Sequence, residues 1–158
     1  MASMNSLRQR ARGERGAELI EFALVFPILL FVVLGIVDFG FVFQRMEVVT
    51  NAAREGARIA VLPGYAQADV VARVCNYIAT GGVPATNCGN AGGNPAVNID
   101  MNFSVPMAAP TPAMTGKRVE VVYTHQFTFI GPMAAWFGGS FTTVPVRGVA
   151  IMRDEVAP

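Results

Sequence analysis

The sequence predicts an α+β protein in which a long N-terminal stem helix, transmembrane in its first half and amphipathic in its second, precedes a small domain of one helix and roughly three strands. Three observations predict it. Residues 22–37 carry no charge, and the apolar run resumes after Asp38 to residue 43. A helical period then continues through 44–62, and apolar alternation appears at 97–105, 117–129 and, less regularly, 142–153. At about 1.5 Å per residue the first run can cross a hydrocarbon core roughly 30 Å thick.

Composition sets the bounds. The chain has 158 residues, is 53% hydrophobic and carries a formal charge of +1. The apolar excess is concentrated in the stem, which signals a membrane anchor and not an unusually oily core. About 95 residues follow it, enough for one small domain. With no basic patch beyond the N-terminus, a nucleic-acid partner is excluded, because several phosphates would need neutralising. Arg8, Arg10, Arg12 and Arg15 stand against Glu14 in the first sixteen positions, and the positive-inside rule places them in the cytoplasm. The expected division is a basic cytoplasmic leader at 1–16, a transmembrane half at 17–43, an amphipathic half at 44–62 and an extracytoplasmic α+β domain at 64–158. The start is not an ordinary secretory signal: the apolar run is too long, and no A-x-A-like site follows it.

Within the span, Pro27 is a candidate kink. Gly35 and Gly40 are five apart and form no G-x-x-x-G face. Asp38 lies about 24 Å beyond Phe22 along the helix, near the outer interface. It is expected there as a water-facing acid or as the partner of a basic group on an adjacent subunit. In the amphipathic half, Glu47, Thr50, Asn51, Arg54, Glu55 and Arg58 gather on one side, with Val48, Ala52, Ala53, Gly56, Ile59 and Ala60 on the other. Ala52, Gly56 and Ala60 form one row of small residues and Ala53 and Ala57 the next, so another backbone can approach closely, either the chain's own sheet or a neighbouring stem. Glu55 and Arg58 read as a solvated pair of small value. Pro63 and Gly64 supply the stop.

Residues 66–80 place Val70, Val71, Val74, Cys75 and Ile78 at helical spacing, ended by Gly81 and Gly82. The Gly/Asn/Pro-rich loop at 81–96 lacks the G-K-[ST] of a phosphate cradle. Asn87, Asn90, Asn94 and Asp100 lack the carboxylate density of a calcium site. In the next strand Val97, Ile99, Met101, Phe103 and Val105 share a face; residues 106–116 form a proline-rich connection; then Val119, Val121, Tyr123, His125, Phe127 and Phe129 share a face. Residues 131–139 read as one or two helical turns with Pro132 near the first position and Gly138 as stop. Pro145 marks the last strand as an edge or a bulge. On the oxidising side of a membrane Cys75 and Cys88 would pair; the alternative is a buried Cys75 and a free Cys88.

No catalytic constellation is expected, and no cofactor, metal or small-molecule substrate. His125, alone on an apolar strand face, reads as a hydrogen-bonded core or interface residue. One histidine and two cysteines make no convincing zinc site. Ser104 and Ser140 have no nucleophile-elbow context. Trp136 and Phe137 read as a core plug, with an exposed contact for a partner as the alternative.

The inner flank of the span carries a further pattern: Gly16 directly after the basic segment, then Ala17, Glu18, Leu19, Ile20, Glu21 and Phe22. A glycine followed five residues later by glutamate, at the threshold of an apolar helix, resembles the site where a membrane-embedded prepilin peptidase cuts type IV prepilins, here between Gly16 and Ala17. The stretch GAELIEFALVFPILLFVVLGIVDFG followed by NAAREGARIAV resembles the N-terminal signature of TadE-like proteins, pilin-like components of the Tad (tight adherence, type IVc) pilus system. The resemblance covers about residues 13–62. It implies a minor pilin or pseudopilin of the inner membrane, single-pass, with its domain in the periplasm or in the filament. It also implies a topology, one helix across an antiparallel sheet entered from the stem. The implied partners are prepilin peptidase, other pilins and Tad inner-membrane assembly components, besides membrane lipid. Glu21, with Phe22 beside it, would then be an assembly contact meeting the N-terminus of a neighbouring subunit. Physical chemistry agrees: Ala17 and Glu21 lie one helical turn apart, and an acid at the edge of hydrocarbon needs a cationic partner. The competing reading is a bitopic membrane-anchored binding module unrelated to pili.

Overall fold

The computed structural model describes residues 3–89, 92–105, 114–136, 138–139 and 141–154, with side chains from Gly16 onward. The order is α1 (Ser3–Ala60), α2 (Gln67–Thr80), β1 (Ala96–Val105), β2 (Met114–Gln126), α3 (Ile130–Trp136) and β3 (Thr143–Arg153). Helix α1 runs unbroken through Pro27, Gly35 and Gly40 and takes in the basic segment from Ser3. It stops two residues short of Leu62, whose N–H turns back to the Ile59 carbonyl at 3.0 Å.

Helix α2 starts where Asp69 reaches back to the Ala66 N–H at 2.9 Å, satisfying one of the donors a helix start leaves free. Its period of 3.6 puts Val70, Val74 and Ile78 on one fully buried stripe. The strands form an antiparallel sheet in the order β1-β2-β3. Along β2 the alternation holds, and Val119, Val121, Tyr123 and His125 all face the core. Strand β3 is an edge strand, which accommodates Pro145 opposite Thr124.

Strand β1 departs from the expected unbroken alternation. Asp100 pairs with Arg118 but Phe103 with Gly116, so β1 carries one extra residue between them. The bulge turns Phe103 to the outer face, where the Arg118 guanidinium lies 5.6 Å from its ring centroid. Val97, Ile99 and Met101 still pack on the core.

The outer part of α1 crosses the sheet and α2. Val49, Ala52, Ala53, Ala57 and Ala60 meet Val119, Val121, Val146 and Ala150, with Val70, Val74 and Ile78 closing the same cluster. At Gly148 an added Cβ would stand 2.7 Å from the Val49 carbonyl oxygen and 2.9 Å from the Thr50 Cα, so backbone lies directly on backbone. Because neither backbone can swing aside, Gly148→Ala is expected to destabilise the head by about 1–3 kcal/mol. Gly40→Ala, which adds a methyl with nothing within 4 Å, should cost nothing comparable. Thermal unfolding in detergent micelles separates the two.

Candidate functional site along the stem

Asp38 is the one acid in the apolar stretch from Phe22 to Phe43, and the structure buries it completely. Its Oδ1 accepts the Thr128 N–H at 3.2 Å; its Oδ2 accepts the N–H groups of Phe129 and Ile130 at 2.9 and 2.7 Å. These donors belong to the start of α3, where N–H groups lack helical partners and a negative charge is favoured. A fully buried acid is costly unless paired, and here the chain's own backbone pairs it. The water-facing expectation for Asp38 is corrected by this burial, and the partners the contact supplies belong to its own chain.

The neighbourhood fits around that bond. The Phe39 and Phe127 rings meet edge to face with centroids 6.0 Å apart, and Phe127 stacks on Phe141 at 6.2 Å. Gly35, which has no dimer-face spacing, lies under α3: a Cβ on it would stand 3.7 Å from Ile130 Cδ1. Helix α3 is thereby strapped to the stem over the turn from Gly35 to Phe39.

Above this point one face of the stem is covered by its own head, while the side with Glu47, Asn51 and Arg54 stays exposed. Ala52, Gly56 and Ala60 face the sheet and α2, as do Ala53 and Ala57, which decides between the two partners the sequence left open. Glu55 receives Arg58 at 2.9 and 2.8 Å and Arg73 at 3.0 and 2.9 Å, so the pair expected on α1 is a three-member cluster reaching α2. The Arg58 hydrogen bonds chiefly, and those of Arg73 after them, lower the Glu55 carboxyl to about 2 against the raising effect of burial.

Below Asp38 the large side chains point outward without cover. Leu19, Ile20, Leu24, Ile28 and Ile36 are exposed, with the Phe22 and Phe26 rings tilted against each other at 5.3 Å. Gly16, Ala17, Glu21 and Phe22 all lie on this helix, and Glu21 and Phe22 are exposed. The segment Gly16–Ala60 contains a window of mean hydropathy 2.8 that is long and apolar enough to cross a membrane.

In the head, Cys75 and Cys88 are joined, with Cα atoms 5.8 Å apart, tying α2 to the glycine-rich loop. His125 is buried but departs from the hydrogen-bonded expectation, since its Nε2 has no partner among the described residues. Burial foremost, then the Arg45 charge, pushes its imidazole below the usual range, with Asp38 opposing, so it is neutral at pH 7. Trp136 is 89% exposed, which overturns the core-plug expectation. Asn90, Phe137 and Ser140 lie outside the described residues. The Asn94 side chain is engaged with the Thr124 backbone at 2.9 and 2.8 Å, and Asp100 with the Asn102 N–H at 3.0 Å. Among the described residues no group of three or more His, Cys, Asp or Glu is placed to hold a metal ion.

Two features escaped the sequence reading. One is Gly148, whose signal was a glycine inside a strand. The other is Glu120 on the outer sheet face, which pairs with Arg147 and with Arg118, the latter at 3.2 Å. Its signal was opposite charge two positions apart along β2 for Arg118, whereas only strand register brings Arg147 near.

These features define a stem-and-head protein, whose apolar inner stem is compatible with a single-pass membrane anchor and whose outer stem is the spine of an α+β head. Residues 16–58, about a quarter of the chain, match the family model described as TadE-like protein. Over this stretch the stem is similar to the TadE-like family, which is consistent with a pilin-like component related to the Tad pilus. Comparison with curated proteins and with solved structures gives no match.

Replacing Asp38 by leucine would leave three N–H groups without their acceptor. The head is expected to lose about 1–3 kcal/mol, with faster amide exchange confined at first to Thr128, Phe129 and Ile130. Asp38→Asn, which keeps an acceptor oxygen, should lose less. Unchanged exchange at those three amides in Asp38→Leu would contradict the strap.

Proposed function

We propose that this protein is a minor pilin or pseudopilin of a Tad-type type IV pilus, non-enzymatic, processed by prepilin peptidase and acting in pilus initiation or assembly and hence in surface adherence. The observation that carries this reading is the division of the TadE-like stem. The apolar face of its outer half is occupied by the chain's own head, and its inner half, with Gly16 and Glu21, is left uncovered.

In this reading the basic leader is held in the cytoplasm and the apolar half retains the protein in the inner membrane, with the head in the periplasm. The peptidase cuts between Gly16 and Ala17, creating an ammonium group one turn before Glu21. Glu21 then has two cationic candidates, its own terminus and that of a neighbouring subunit in the assembly. Pairing with the neighbour offsets the cost of holding a carboxylate in hydrocarbon and fixes axial register. Phe22 and the exposed apolar side chains after it exchange lipid for other pilins and for Tad inner-membrane components. No nucleic acid or small-molecule substrate takes part.

Co-expression with a prepilin peptidase should yield a chain beginning at Ala17 by intact-mass measurement, and Gly16→Ala should block that cleavage. An intact N-terminus in native membranes that contain the peptidase would sink the proposal. Glu21→Leu should insert and be cleaved yet fail to support piliation; normal piliation would remove the register role.

A further inference from the structure

We infer that α3 and its flanks form a second membrane contact, an aromatic foot that rests in the outer leaflet beside the stem and takes lipid acyl chains and their interfacial region as its partner. The inference rests on the reading of the stem as a membrane span.

Depth is the first argument. If Glu21 marks the inner edge of the hydrocarbon, about 20 further residues of helix cross roughly 30 Å, which ends near Phe41. The strap to Asp38 and Gly35 therefore holds the start of α3 below that outer edge, beside the last turns of the span. Arg45, the next charged residue of the stem after Asp38, lies about 10 Å further out, at headgroup level.

Chemistry is the second. From Gln126 to Val146 the sequence has no charged residue. The described part of this stretch presents Trp136 at 89%, Phe141 at 67% and Phe129 at 37% exposure. Tryptophan and phenylalanine left in water at a protein surface are a cost, whereas the bilayer interface is where amphipathic aromatic rings are enriched. The patch is not isolated: a shallow apolar groove lined by Phe31, Gly35, Phe39, Phe43 and Ile130 joins it to the uncovered stem. That continuity commits the patch to the same solvent as the stem, namely lipid.

Backbone satisfaction is the third. Non-helical backbone near hydrocarbon is tolerated only when its polar groups are paired within the protein. Thr128, Phe129 and Ile130 donate to Asp38; Phe127 donates to the Thr142 carbonyl at 3.0 Å; Gly138 and Gly139 donate to Ala135 and Ala134 at 3.1 and 2.8 Å. The buried carboxylate of Asp38 thus does for the foot what water would do for an ordinary loop.

Trp136 is the chain's single tryptophan, so its fluorescence reports the foot without labelling. The full chain is reconstituted into vesicles of phosphatidylethanolamine and phosphatidylglycerol, with acyl chains either plain or dibrominated. Iodide is equilibrated on both sides by freeze–thaw. The expected result is blue-shifted emission, strong loss of intensity with brominated lipid, and weak quenching by iodide. Iodide quenching at the rate of free indole with no effect of brominated lipid would overturn the inference. Protection from both quenchers would also overturn it, by showing that protein covers the foot. Carbonate extraction of the same vesicles isolates the underlying reading: a chain released by carbonate does not span, whereas a retained chain with iodide-accessible Trp136 spans but has no foot.

Discussion

Between Val49 and Ala60 the stem offers a surface built largely of alanine, glycine and valine, and the sheet lies on it so closely that Gly148 has room for no side chain. A helix faced with larger residues would hold the sheet several ångströms further off and leave voids that neither β2 nor α2 could fill. The small side chains give up little rotamer entropy on burial, so the contact gains dispersion at low conformational cost. Among the described residues the head's own helices are the 14-residue α2 and the 7-residue α3. Val70, Val74 and Ile78 of α2 and Val119 and Val121 of β2 complete their burial only against this face.

The consequence for function is a division of labour along one continuous helix. Where the head covers the stem, one face of the helix is buried and its polar side with Glu47, Asn51 and Arg54 stays exposed; where it does not, the surface is apolar apart from Glu18 and Glu21. Asp38 sits at the seam. Its three backbone hydrogen bonds fix how far down the stem the head reaches, and so set which residues of the stem the head leaves uncovered. In the proposed pilus role, the inner stem supplies the subunit contacts and the head's outer surface, including the charged face around Glu120, supplies those to other components.

The stem, its two chemistries and, to within two residues, its outer end were legible in the sequence because each is a local pattern: charge density, helical period and a Pro-Gly stop; its start was not, since the helix takes in the basic segment from Ser3. The three strands, α2 and the edge placement of Pro145 were legible for the same reason. What was not legible depends on pairing at long range. Asp38 finds its partners some ninety positions away, at a helix start that periodicity locates only roughly. The bulge in β1 depends on the register with β2, so Phe103 looked like a core residue until Gly116 was found opposite it. Trp136 was misplaced because an aromatic residue in a short glycine-flanked turn resembles a core plug equally well. The small-residue rows were visible, but the choice between the chain's own sheet and another stem required the sheet's position.

The account's central claim is that the outer stem is the spine of the head and not merely its tether. It is tested by comparing two soluble fragments, residues 44–158 and residues 61–158, by near-ultraviolet circular dichroism and thermal unfolding. The account predicts a fixed tertiary signal and one cooperative transition for the longer fragment, and neither for the shorter. A shorter fragment that folds cooperatively with the same midpoint would contradict it.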